Sequence, residues 1–146
     1  MTVEIFTEES LFNGFSNKNV ELKALANEFK AYKENKAGLL LGFNLGNPYF
    51  GKDEKLTQPP VIRGILQKVH FKPDTPKKAK VAWSTSIRKG HIPTSDHVLL
   101  YAQGKTNLNK YLLIDIFKPD GHKKMKDFAK LVELKKNFAD PFRETF

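Results

Sequence analysis

Residues 97–117 read HVLLYAQGKTNLNKYLLIDIF, two apolar runs rich in β-branched and aromatic side chains around the heptapeptide GKTNLNK. Residues 97–103 and 111–117 each have strand length, and the Gly and Asn residues between them suit an antiparallel hairpin turn. Upstream, ILQKVHF (65–71) sets Ile65, Gln67, Val69 and Phe71 on one side and Leu66, Lys68 and His70 on the other, which predicts a further strand. Residues 3–6 alternate in the same way over a shorter length. Between these strands, Leu22, Leu25, Phe29 and Tyr32 recur at spacings of three and four, with Glu21 in the first turn, Lys33 and Lys36 in the last, and Gly38 as the stop. This predicts a helix from Asn19 with one buried face. A second amphipathic helix is expected over residues 121–136, marked by Met125, Phe128, Ala129 and Val132, with Pro119 ending the strand before it and Asp120 available as its cap. Together these elements predict an α+β fold, an antiparallel sheet of about four to five strands with the N-terminal and C-terminal helices packed on one face.

The connections are less regular. Residues 42–60 carry three Gly and three Pro, which suits a long loop. Residues 72–96 hold Lys72, Lys77, Lys78, Lys80, Arg88 and Lys89 around the apolar island Val81-Ala82-Trp83, a pattern expected of a loop or hairpin arm with a short strand in it. Trp83 there suits either stacking on a base or plugging the core.

A length of 146 residues with 40% apolar content is one domain's worth of chain. The net charge of +9 is unevenly spread, since residues 1–60 sum to −1 and residues 61–146, which contain all four His, sum to +10. A polyanion, nucleic acid first, is therefore the expected partner. No apolar run approaches the roughly 18–20 residues of a spanning helix, and the acidic start MTVEIFTEES lacks the pattern of a signal peptide, so a cytoplasmic protein without membrane association is expected. With no Cys, zinc ribbons and thiol nucleophiles drop out. P-loop, dinucleotide and Gly-x-Ser-x-Gly motifs are missing as well.

Chemistry is concentrated in KPDGHKKM (118–125). His122, Lys123 and Lys124 fall where a helix start disfavours cations, so the segment suggests a phosphate site. His70 shares a strand face with Lys68, and His97 and Tyr101 lie on one side of their own strand. If the two strands are neighbours, His70 and Tyr101 can face one groove. His, Tyr, Lys and Arg suffice to cleave RNA through its 2′-hydroxyl, because that reaction needs a base, an acid and cations for the phosphorane. Carboxylates in the basic half are scattered, with no cluster of the kind that holds two magnesium ions, so no metal or other cofactor is expected.

The runs LLIDIFKPDGHKKM, TSDHVLLYAQG, KVHF and PFRETF, with Phe29-x-x-Tyr32-Lys33 at the end of the first helix, resemble the YafO-type toxins of bacterial type II toxin–antitoxin modules. The likeness runs from about residue 20 to the C-terminus. It implies a compact RelE-like fold and a ribosome-dependent mRNA endonuclease that halts translation, with a cognate antitoxin, the ribosome and mRNA as partners. The matching polar residues are Lys33, His70, Asp96, Tyr101, Lys118, His122, Lys123 and Arg143. Physical suitability gives His70 or His122 the acid/base role and Tyr101 an acid/base or positioning role, while Lys118, Lys123 and Arg143 hold the scissile phosphate. Asp96 either orients a His or caps the turn before its strand, and Arg143 serves equally to pin the tail. Arg63, Lys68, Arg88, Lys89, Lys124 and Lys126 are the expected contacts to the RNA backbone. Two other readings compete, a non-catalytic ribosome- or nucleic-acid-binding module and a DNA-nicking nuclease on the same fold.

Overall fold

The computed structural model describes residues 2–12, 15, 17–34, 49–118 and 120–146. Among them β1 (Glu4–Thr7), β2 (Phe50–Lys55), β3 (Gln67–Phe71), β4 (Val98–Gln103) and β5 (Lys110–Phe117) form one sheet in the order β1-β5-β4-β3-β2. Every pairing is antiparallel except that of β1, which adds to β5 in parallel. The β4–β5 hairpin is the expected one. Its register slips between Leu100 and Tyr101, so that Leu100 faces Asp115 while Tyr101 faces Leu113, leaving Ile114 as the extra residue of a bulge.

The sheet is covered on both faces. Helix α1 (Lys18–Glu34) buries Leu22, Leu25, Phe29 and Tyr32 against Val69, Leu99, Tyr101 and Leu113. On the opposite face Met125, Leu131, Leu134 and Phe142 from the C-terminal segment pack on Val98, Leu100, Ala102 and Ile114. The expectation of helices on one face is thus corrected. Residues 98–102 are apolar without a break, which is the pattern of a strand buried on both sides, whereas a half-solvated strand alternates.

Two connections also differ from expectation. Residues 50–55 of the long loop form the edge strand β2, while residues 42–48, like Gly38 and Pro119, lie outside the described residues. The basic connection contains helix α2 (Lys77–Arg88) in place of the short strand. It buries only Trp83, so no apolar period marks it. Trp83 is a core plug: it packs so closely on Gly51 that a Cβ there would come within 2.7 Å of the indole.

The single C-terminal helix is instead a series, α3 (Gly121–Lys124), α4 (Phe128–Leu134), a π-helical turn (Lys135–Ala139) and α5 (Asp140–Thr145). Asp120 caps nothing. It sits in the left-handed region at φ 62° without a side-chain capping bond, whereas Asp127 Oδ1 accepts from the Lys130 N–H and starts α4. The ladder widens just before Pro141, which has no N–H to donate.

Asp115 projects from β5 with its carboxyl partly buried, and burial, opposed by the Ile116 N–H and nearby Lys130 and Lys124, pushes its pKa up to about 6. A raised carboxyl pKa means the folded state holds the proton longer than the unfolded chain, so this group costs stability as pH rises through about 4 to 6. Asp115→Asn is therefore expected to stabilise the protein by about 1 kcal/mol at about pH 8, after allowance for solvent screening, and by nothing near pH 4. Urea unfolding at the two pH values measures this. An equal effect at both would assign the change to packing.

Candidate functional site

Pairing of β3 with β4 sets His70 opposite Val98 and Gln67 opposite Tyr101. Side chains alternate, so His70 and Tyr101 lie on opposite faces of the sheet even though their strands are neighbours. The shared groove expected for them does not form. Tyr101 is fully buried beneath α1, its hydroxyl bonded to Asp53, 3.1 Å from Gln67 Oε1 and 3.0 Å from Lys33 Nζ. Burial first, then the Asp53 carboxylate, raises its pKa well above the phenol range, so it stays protonated and acts as a hydrogen-bonding member of the core.

His70 instead meets His122. Their ring centroids are 5.4 Å apart, tilted by 49°. His70 is only 2% exposed and its Nδ1 lies 2.6 Å from the Ser95 carbonyl oxygen. The Ser95 N–H also faces Nδ1, at 3.2 Å, but one nitrogen cannot both donate and accept there, and the shorter contact assigns the proton to Nδ1. Burial lowers the His70 pKa, the Ser95 bond opposes this, and Lys68 and His122 lower it further, so the ring is neutral with its lone pair on Nε2. Above it, the His122 side chain is 58% exposed, with Nδ1 3.0 Å from Asp96 Oδ1. The same oxygen accepts from the His122 backbone N–H at 2.8 Å.

Asp96 therefore holds a histidine and caps the start of α3, which is not the turn before its own strand that it was expected to cap. The close approach depends on Gly121, whose N–H donates to the Asp96 carbonyl at 2.9 Å and whose Cβ, were there one, would lie 2.4 Å from that oxygen. Ser95 completes the support by donating its hydroxyl to the Phe71 carbonyl at 2.8 Å and accepting from the His97 N–H at 3.1 Å. Sequence reading missed both Ser95 and Gly121. Their signal was only that TSDH and PDGH each place a small residue within two positions of an Asp-His pair, which is common in turns. The expected phosphate site at the start of the last helix is also modified, since α3 is a single turn and its His122 N–H is already taken by a carboxylate.

Of the other candidates, Lys123 and Lys126 are exposed beside His122, Lys124 is exposed with its ammonium 3.5 Å from the Lys118 carbonyl, and Arg63, Arg88 and Lys89 are exposed elsewhere. Lys68 is paired with Glu54 at 3.1 Å. Burial would raise that carboxyl, but Lys68, with Lys52 and His70, outweighs it and holds it below the usual range. Lys118 lies 3.8 Å from Asp74 and lines a neighbouring cleft. Arg143 is remote, donating to the Gln103 carbonyl at 2.8 Å, five residues along β4 from the Val98 end, or about 16 Å at the rise of a strand. It pins the tail, the second of its two expected roles. No group of three or more His, Cys, Asp or Glu suited to a metal ion occurs among the described residues, nor does a helix long and apolar enough to cross a membrane.

A family model described as Toxin YafO, type II toxin-antitoxin system, matches residues 30–144, a span containing all of these site residues. No curated protein and no solved structure gives a significant match.

Proposed function

The chain belongs to the YafO toxin family of type II toxin–antitoxin systems, a membership that implies an antitoxin partner, and from that premise we propose that it is a ribosome-dependent mRNA endonuclease that halts translation. The observation that carries this reading is the exposed His122, oriented by Asp96, set over the buried, neutral His70 and followed in the chain by Lys123 and Lys124.

Asp96 engages Nδ1 of His122 and leaves Nε2 to act on substrate. In the proposed reaction Nε2 takes the proton of the 2′-hydroxyl, the 2′-oxygen attacks phosphorus, and the bond to the 5′-oxygen breaks. The products are a 2′,3′-cyclic phosphate and a 5′-hydroxyl. The ammonium groups of Lys123 and Lys124 hold the non-bridging oxygens as negative charge grows, and one of them protonates the leaving oxygen. His70 acts from below as a positioning residue, a neutral ring fixed by Ser95 against which His122 rests.

Helix α2 supplies the second component. Lys77, Lys78, Lys80, Arg88 and Lys89 follow one another with no acidic residue between Thr75 and Ser95, and only Trp83 of the helix is buried. Such a helix suits phosphate contacts that position the protein without reading sequence, as ribosomal RNA would require.

The test is to map transcript 5′ ends in a translating extract given the purified protein, with and without ribosomes. New ends bearing 5′-hydroxyls are expected only when ribosomes are present. Intact transcripts in an arrested extract would replace the reading with a non-catalytic binder, and equal cutting of free RNA would remove the ribosome dependence.

A further inference from the structure

A cleft of about 610 Å³ adjoins the His122–Asp96 pair and shares Asp96 with it. Pro73, Pro76, Ala79 and Ala82, the last two from α2, give it apolar sides, and its lining includes three acidic residues, Asp74, Asp96 and Asp120, against one basic residue, Lys118. His97 closes one side, 7% exposed, with its Nδ1 buried and bonded to no protein group. Three carboxylates make this a poor place for a phosphate. They suit a ligand that presents N–H donors, and the proline and alanine walls suit the faces of a flat ring.

We propose that this cleft receives a nucleobase of the RNA strand, guanine in preference, beside the phosphate presented to His122. The inference rests on the nuclease reading and adds a specificity determinant to it. Guanine carries two parallel donors, N1–H and the N2 amino group, which match the two oxygens of one carboxylate, whereas uracil offers one N–H flanked by carbonyl oxygens that a carboxylate repels. Asp96 is committed to His122, so Asp74 and Asp120 are the carboxylates available to the base. Asp74 is mostly exposed and only 3.8 Å from Lys118, a loose pairing that a ligand can displace.

The test uses the isotope-labelled full chain and three probes, guanosine 3′-monophosphate, uridine 3′-monophosphate and inorganic phosphate, followed by NMR. The guanosine nucleotide is expected to shift the Ala79 and Ala82 methyls and the Ser95 and His97 amides saturably, binding roughly tenfold more tightly than the uridine nucleotide. Phosphate is expected to leave both methyls unmoved. Asp74→Asn with Asp120→Asn should erase the preference, and Ala82→Phe, at an exposed position, should block the cleft while the spectrum stays dispersed. Equal binding of the two nucleotides, the same shifts from phosphate, or a preference that survives the Asp changes would overturn the proposal. No ribosome is involved, so selective base binding without transcript cleavage would defeat only the nuclease reading, and cleavage without selective binding would defeat only the base pocket.

Discussion

His122→Ala is expected to lower ribosome-dependent cleavage by roughly a hundredfold to ten-thousandfold, the usual contribution of a positioned acid or base, with no loss of thermal stability. The stability half follows from exposure: the ring projects into solvent, and the backbone N–H that Asp96 caps is present in any residue. Asp96→Asn separates the acid/base role from mere proximity. An amide at this position keeps a hydrogen-bond acceptor but loses the negative charge that stabilises the positive ring formed when Nε2 takes the proton, so the rate of the cleavage step should fall roughly tenfold or more while RNA binding is unchanged. Single-turnover cleavage at one pH, with RNA binding measured separately, checks both variants. A His122→Ala protein that cuts as well as wild type would remove this histidine from the chemistry, and an unchanged single-turnover rate in Asp96→Asn would reduce Asp96 to a cap for α3.

Breaking the ion pair beneath α1 is expected to have the largest effect on folding. Lys33 Nζ lies 2.7 Å from Asp53 Oδ2, the two side chains being 9% and 11% exposed, and the ammonium is within 5.5 Å of the ring centroids of Phe29, Tyr32, Tyr101 and Tyr111. Asp53 also accepts from the hydroxyls of Tyr32, at 2.8 Å, and Tyr101. Lys33→Met leaves that carboxylate buried with only phenols for company, which should cost about 3–5 kcal/mol of a stability that for such domains totals roughly 5–15. Adding Asp53→Asn removes the stranded charge while keeping an oxygen for the tyrosines, so the double variant should recover part of the loss. Urea unfolding of both checks this, and a loss below about 1 kcal/mol in Lys33→Met would mean that water already screens the pair.

The positions of Lys33 and Tyr101 explain why a sequence reader groups them with site residues. A charged side chain at the end of an apolar helix face and a Tyr on a strand look the same whether they serve chemistry or an internal network. Only the register of β3 against β4, which pairs Gln67 with Tyr101, decides that Tyr101 faces α1. Conversely, α2 was illegible because a helix with one buried side chain leaves no period in the sequence. The break at residues 125–127 was hidden for a different reason: Asp120 and Asp127 are both residues of the type that caps a helix, and backbone conformation selects the second as the cap.

By itself the sequence determined the hairpin, the buried face of the first helix, the strand at residue 67 onward and the concentration of positive charge after residue 60. These follow from local periodicity, turn chemistry and composition, which need no knowledge of what lies across the sheet. Tertiary structure alone decided which face each strand residue presents to which helix. It thereby removed Tyr101 and Arg143 from the neighbourhood of His70, brought His122 and Asp96 together from 26 positions apart, and set a carboxylate-lined cleft beside them. The physical reason is that a strand's two faces are fixed by pairing register and a turn's placement by close backbone approach, here Gly121 against Asp96, and both are contacts between segments distant in the chain.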